Sequence, residues 1–134
     1  MAATIPHSHR ELLDGPIVVS LVTLMPDGRP QATPVWAKLD GNDVLINTAI
    51  GRQKDKNLRA NPYATVLAIN PENPYNWIEV RGTVVERIDG DETVIDQLAK
   101  LYTGKDKYFG GVAPESSRQP RVTYRIRPEK VNVG

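Results

Sequence analysis

Leu21-Val22-Thr23-Leu24-Met25-Pro26-Asp27-Gly28-Arg29-Pro30-Gln31-Ala32-Thr33-Pro34-Val35-Trp36 is the stretch from which the fold is read. Its first part closes a β-branched and aliphatic run from Ile17 to Met25, which predicts a largely buried strand. Pro26-Asp27-Gly28 is a tight turn, proline presetting φ and glycine accepting positive φ. The chain returns as a second strand, Arg29 to Leu39, interrupted at Pro34. A proline there removes a ladder donor, which restricts the strand to a sheet edge or a bulge. Asp40-Gly41-Asn42 is another hairpin turn, and Asp43 to Thr48 is the third strand. Three strands in a meander therefore open the fold.

Outward from the meander the pattern continues. On the N-terminal side, Ser8 to Leu13 predicts a short helix with Ser8 as cap and Glu11 as capping-box partner, ended by Asp14-Gly15-Pro16. On the other side the chain breaks at Gly51 and reads as a short helix that stops at Asn61-Pro62, because proline disfavours the helical conformation in the residue before it. Tyr63 to Asn70 and Asn76 to Ile88 are the fourth and fifth strands, with Gly82 marking a bulge or a close backbone approach. Asp91 to Tyr102 is the strongest helix, its Val94, Ile95, Leu98, Leu101 and Tyr102 following the 3.6 period up to Thr103-Gly104. Lys105 to Gln119 is a polar loop. Arg121 to Arg127 alternates charged or polar with apolar residues as a half-buried strand. Six strands with two main helices predict a mainly β protein, a small antiparallel barrel, in one domain over residues 1–134.

Composition narrows the function classes. A net charge of +1 argues against a general nucleic-acid or membrane-surface binder. With two Trp, five Tyr and one Phe, a single-strand-binding barrel would have few stacking platforms. The lack of cysteine removes disulfides, thiolate metal sites and a cysteine nucleophile. The segment Met1 to Arg10 has no apolar signal-peptide core, and no run approaches a membrane span, so a soluble cytoplasmic protein is expected. His7 and His9 lie near the N-terminus without clustered carboxylates, and no metal site is expected.

The basic helix raises a question of charge. Arg52, Lys54 and Lys56 fall where backbone N–H groups are unpaired and the helix dipole favours anions. Either they form a solvated face, with Asp55 in partial compensation, or a phosphate or carboxylate sits at the helix start. Asp55 and Glu79 are possible bases, yet nothing pairs either with a nucleophile. No catalytic residue is assigned, and chemistry by a bound cofactor is the expectation.

The run Leu21 to Trp36 resembles the opening of the flavin-binding split-barrel superfamily, in its pyridoxamine-phosphate-oxidase-like branch of deazaflavin (coenzyme F420) reductases. Thr48-Ala49-Ile50-Gly51-Arg52 with Lys54, Asn57-Leu58-Arg59 and Asn61-Pro62 resembles a second motif. Pro71-Glu72-Asn73-Pro74-Tyr75 with Glu79-Val80-Arg81-Gly82-Thr83 resembles a third, and Arg125 to Val131 resembles the family's ending. The resemblance runs from about Leu12 to Val131 and implies a six-stranded antiparallel split barrel. It also implies a homodimer with a cofactor site at each subunit interface. Thr33, Pro34, Val35 and Trp36 would border the ring, continued by Thr48 and Ala49, while Arg52, Lys54, Lys56 and Asn57 would hold the phosphate. Trp77, Glu79 and Val80 would approach from the second subunit. For Trp36 and Trp77 the alternative is ordinary barrel packing. The implied activity is that of an F420-dependent oxidoreductase transferring hydride to a small electron-poor substrate. Lys56, Arg59, Lys105 and Lys107 are candidates for the cofactor's carboxylate tail. An FMN-dependent oxidoreductase and a non-catalytic flavin- or haem-storage protein are the alternatives. No stretch of this sequence matches the extra substrate-phosphate segment of true pyridoxamine phosphate oxidases, so the resemblance does not carry vitamin B6 oxidation with it.

Overall fold

The computed structural model describes residues 3–134. The strands are β1 (Val19–Leu24), β2 (Pro30–Val35), β3 (Ala37–Asp40), β4 (Asp43–Ala49), β5 (Tyr63–Ile69), β6 (Trp77–Asp89) and β7 (Arg121–Val133). The helices are α1 (Glu11–Asp14), α2 (Gln53–Ala60) and α3 (Thr93–Thr103). All ladders are antiparallel and make one seven-stranded sheet in the order β2-β1-β5-β6-β7-β4-β3.

The order of strands forces the shape. β2 and β3 form opposite margins of the sheet, yet only Trp36 separates them in the chain. A flat sheet would hold these margins about 29 Å apart, at about 4.8 Å per strand. Two consecutive Cα steps reach only about 7 Å. The sheet therefore rolls up until its margins meet at Trp36. Among the described residues no ladder joins β2 to β3, so the barrel is split along this seam.

The expected strand count of six becomes seven because the second strand breaks at Trp36 rather than at Pro34. Pro34 lies within β2, opposite Ser20, where β2 has β1 as its one neighbour. It occupies the edge its missing donor requires. The N-terminal expectation also changes. Residues His7–His9 form a 3-10 turn, α1 begins at Glu11 after Arg10, and no side chain caps either. The Ser8 hydroxyl instead contacts His9 Nδ1 at 2.8 Å, so the capping box does not form. The last strand runs on to Val133, six residues past the expected Arg127, because β6 is long enough to pair with it throughout. Gly82 sits at a register shift, and a Cβ there would collide with the Arg127 carbonyl.

The barrel interior is filled by Leu21, Ile46, Val66, Ile78, Val80, Tyr124 and Ile126, with α1 contributing Leu12 and Leu13 and α2 contributing Leu58. α3 lies on the outer face, packing Val94, Ile95 and Leu98 against Leu45. β4 is thus covered on both sides, which explains its unbroken buried run from Val44 to Ala49. Among the described residues no helix is long and apolar enough to cross a membrane.

Candidate functional site

β4 delivers the chain to the rim of the barrel, where Gly51 takes φ +95° and turns it into α2. Only a residue free to adopt positive φ makes this turn without strain. Arg52 follows as the residue preceding α2 and has no side-chain cap. The Arg52 and Lys54 side chains line a cleft of about 230 Å³ whose other walls include Pro34, Val35, Trp36, Asn47, Thr48, Tyr108 and Arg121.

Arg121 completes the cationic group. It begins β7 opposite Ala49, is only 6 % exposed, and its Nε donates to Asn47 Oδ1 at 2.7 Å. Its guanidinium lies 5.1 Å from the Tyr108 ring centre. Burial, then the neighbouring charges of Arg52 and Arg121, hold the Lys54 ammonium below the usual lysine range. Burial likewise holds Arg121 low, opposed by Tyr108 and reinforced by Arg52. None of the cleft-lining residues is acidic. Three cations share this space beside a helix start and repel one another, a repulsion that an anion would relieve.

The opposite wall is aromatic. Trp36, at the seam, stacks on Tyr102 with ring centres 5.0 Å apart, and Tyr108 meets its edge at 6.1 Å. Tyr102 anchors this wall, its hydroxyl donating to the Ile17 carbonyl at 2.7 Å and accepting from the Ala37 N–H at 3.0 Å. The loop after α3 is held as well. The Tyr108 N–H donates to Asp96 Oδ1 at 2.9 Å, and Arg118 pairs with both Glu92 and Glu115.

The structure sorts the residues expected to bind cofactor. Pro34, Val35, Trp36, Thr48, Arg52 and Lys54 meet at the cleft. Ala49 is buried beside it, opposite Arg121. Thr33 lies two residues from Val35 on the same strand face, and its buried Oγ1 has no partner among the described residues. Lys56 and Asn57 go elsewhere. Lys56 is exposed by the β1–β2 turn, and the Asn57 amide is buried, donating to Thr23 Oγ1 at 3.0 Å. Trp77, Glu79 and Val80 lie at the far end of the β6–β7 ladder, where Ile78 pairs with Val133, whereas Asp89 and Val122 pair beside Arg121. Glu79 accepts from Asn132 at 2.9 Å, and Val80 is fully buried.

Asn47, Tyr108 and Arg121 line the cleft without having been expected there, and Arg121 is the charged one among them. It read as one of four outward polar positions of an alternating strand. The available signal was the pairing of that strand with Thr48-Ala49, which brings its first residue to the helix start. Asp55 is also not what a helix surface suggests. It is 1 % exposed and bonded to Gly51 N–H, Tyr124, Arg59 and Arg87. Burial pushes its carboxyl up, but these donors outweigh that and hold it below the usual carboxylate range. It is a structural anion rather than a free base.

The fold and cleft define a mainly β, split-barrel protein with a cationic, partly aromatic rim. The chain belongs to the pyridoxamine 5'-phosphate oxidase family, whose family model matches residues 5–133. Among solved structures it is similar to an F420 reductase at 29 % identity and a TM-score of 0.78, covering 96 % of this chain and 98 % of that one. It is similar to the conserved hypothetical protein Rv2991 from Mycobacterium tuberculosis at 18 % identity and a TM-score of 0.72, covering 98 % and 85 %. HupZ from group A Streptococcus shares the fold at 16 % identity and a TM-score of 0.64, covering 97 % and 94 %. No curated protein sequence matches the chain at a significant level.

Proposed function

We propose that this protein is an oxidoreductase that holds a flavin-type cofactor at the rim cleft, coenzyme F420 in preference to FMN. The observation that carries the reading is the convergence of Arg52, Lys54 and Arg121 on a cleft without a carboxylate. Both cofactors bear a phosphate suited to that group. The preference for F420 rests on similarity to the F420 reductase over nearly the full length of both chains. The Thr33 hydroxyl, without a partner among the described residues, would suit a polar ring edge, and Pro34, Val35, Trp36 and Thr48 supply the wall, with Ala49 buried behind it. When bound, the deazaflavin supplies a hydride from C5 to a small electron-poor acceptor. The chain's own part is to hold the phosphate, orient the ring and exclude water, since no cleft residue is a histidine, cysteine or carboxylate.

The same reading includes a homodimer. The outer face of β5 and β6 presents Tyr63 and Ile69, 59 % and 44 % exposed, with Ile69 opposite Trp77. Tyr63 and Ile69 stand at the two ends of that face with Thr65, Leu67, Glu79, Arg81 and Thr83 between them, so the interface on this reading is mixed, apolar at its ends and polar between. Trp77 and Glu79 lie away from their own protomer's cleft and belong, on this reading, to the neighbouring one, whereas Val80 points into the barrel interior, fully buried, and drops out of the expected set.

The test is titration with FMN, oxidised F420 and haem, followed by visible absorbance and ring fluorescence. The complex with reduced F420 is then mixed with quinones, nitroaromatics and unsaturated carbonyl compounds. The reading expects F420 to bind most tightly and at least one acceptor to be reduced faster than by free cofactor. Tighter FMN binding would replace the cofactor alone. Acceleration of no acceptor would make ligand storage the better account.

A further inference from the structure

We propose that Asp55 is a positioning residue for the anion site, its carboxylate fastening the turn that carries Arg52 and Lys54 to the strand that carries Arg121. The inference rests on the phosphate reading of that site.

The geometry is specific. Asp55 Oδ2 accepts from the N–H of Gly51 at 2.8 Å, the residue whose positive φ makes the turn into α2. Asp55 Oδ1 accepts from the Tyr124 hydroxyl, from Arg59 Nε at 3.3 Å and from Arg87 Nη2 at 3.2 Å. One carboxylate therefore gathers donors from the β4–α2 turn, from α2 itself, from β6 and from β7. Arg52 comes directly after the turn glycine, and Arg121 begins the strand on which Tyr124 lies three residues further along, on the opposite face, so the tie between them runs through the β7 backbone. With Asp55 in place, these cations are held at fixed separation despite their mutual repulsion. Two arginines already partner the Asp55 charge, and the carboxylate does not line the cleft. It acts on a ligand through the turn and not by contact. A receptor fixed in advance loses less conformational freedom on binding than one that must gather its cations around the ligand.

The chemistry of the ligand supplies the test. Each phosphate-bearing cofactor is compared with its phosphate-free form: FMN with riboflavin, and F420 with its ring-ribityl chromophore. Affinities are measured by fluorescence titration for wild type, Asp55→Asn, Tyr124→Phe and Lys54→Ala, with folding checked by circular dichroism. In Asp55→Asn the phosphate-bearing form is expected to weaken about tenfold, while the phosphate-free form binds as in wild type. Tyr124→Phe keeps the carboxylate, loses one donor, and is expected to lie between wild type and Asp55→Asn. It also serves if Asp55→Asn does not fold. A purely structural role would weaken both forms equally, and equal loss overturns the proposal. So does an unchanged preference for phosphate in both variants when Lys54→Ala abolishes it. If wild type itself shows no preference for the phosphate-bearing forms, the phosphate reading fails, and this proposal with it.

Discussion

Arg121 and Asn47 are held side by side across the β4–β7 ladder, Nε donating to Oδ1 over 2.7 Å with both side chains buried. The Asn47 amide is itself fixed by donating to Thr123 Oγ1 at 2.9 Å. The arginine's direction is thus set by a neutral group that leaves its charge for the cleft. In Asn47→Leu, which nearly preserves volume, Arg121 loses this guide and Thr123 a partner. Affinity for FMN or F420 is expected to fall about tenfold, consistent with about 1.5–3 kcal/mol for a hydrogen bond to a charged group. Titration by ring fluorescence reads the change.

Lys54 and Lys56, two positions apart on α2, should behave differently. Lys54 lines the cleft, whereas Lys56 projects beside the β1–β2 turn. Lys54→Ala is expected to raise the dissociation constant at least about tenfold in low salt, with Lys56→Ala close to wild type. Equal effects of the two substitutions would show general attraction rather than a built phosphate site.

Affinity for the anion should depend on pH through Lys54. A bound phosphate favours the protonated ammonium, so affinity is complete below the lysine pKa and falls as pH rises through it. Burial and the charges of Arg52 and Arg121 hold that pKa low. The fall is therefore expected to begin below the ordinary lysine value of about 10.4. Lys54→Arg, charged at any accessible pH, should keep its affinity over the same range. Superimposable profiles for wild type and Lys54→Arg would remove Lys54 from the site.

Gly82 admits no side chain, since a Cβ would meet the Arg127 carbonyl and the Ile126 side chain. Gly82→Ala should destabilise the fold by about 1–3 kcal/mol, the usual range for overpacking. Urea unfolding followed by tryptophan fluorescence measures it, and a wild-type midpoint would show that β7 moves aside freely.

The proposed outer-face homodimer makes a prediction of its own. Ile69→Asp places a charge on that face opposite Trp77. The variant is expected to sediment as a monomer at micromolar concentration where wild type sediments as a dimer. A monomeric wild type would remove the interface, and with it any role for Trp77 and Glu79 in a neighbour's cleft.

Local pattern made much of this fold legible. The hairpin turns at Pro26-Asp27-Gly28 and Asp40-Gly41-Asn42, the stop at Asn61-Pro62 and the period of α3 each state their structure within a few residues. The break at Trp36 does not, because it follows from the order of strands on either side, including β5, β6 and β7 more than twenty residues away. The cleft divides in the same way. Arg52 and Lys54 stand out as cations at a helix start. Arg121 looks like any outward arginine until β7 pairs with β4, and Asp55 looks like surface charge until Tyr124 and Arg87 reach it from other strands. What stayed hidden was nonlocal pairing, which no window of sequence contains.

The seam at Trp36 also fixes when the cleft comes into existence. The β1–β2 and β3–β4 hairpins are neighbours in sequence but end on opposite margins, and the three strands that separate them are made later in the chain. One wall of the cleft, Trp36, belongs to the seam, and its third cation, Arg121, arrives with the last strand. During synthesis from the N-terminus, Arg52 and Lys54 emerge long before the arginine that completes their group. A partly made chain thus carries the pieces of an anion receptor without the receptor. A ligand held by all three cations acts as a latch on the finished barrel, adding to its stability as concentration rises above the dissociation constant.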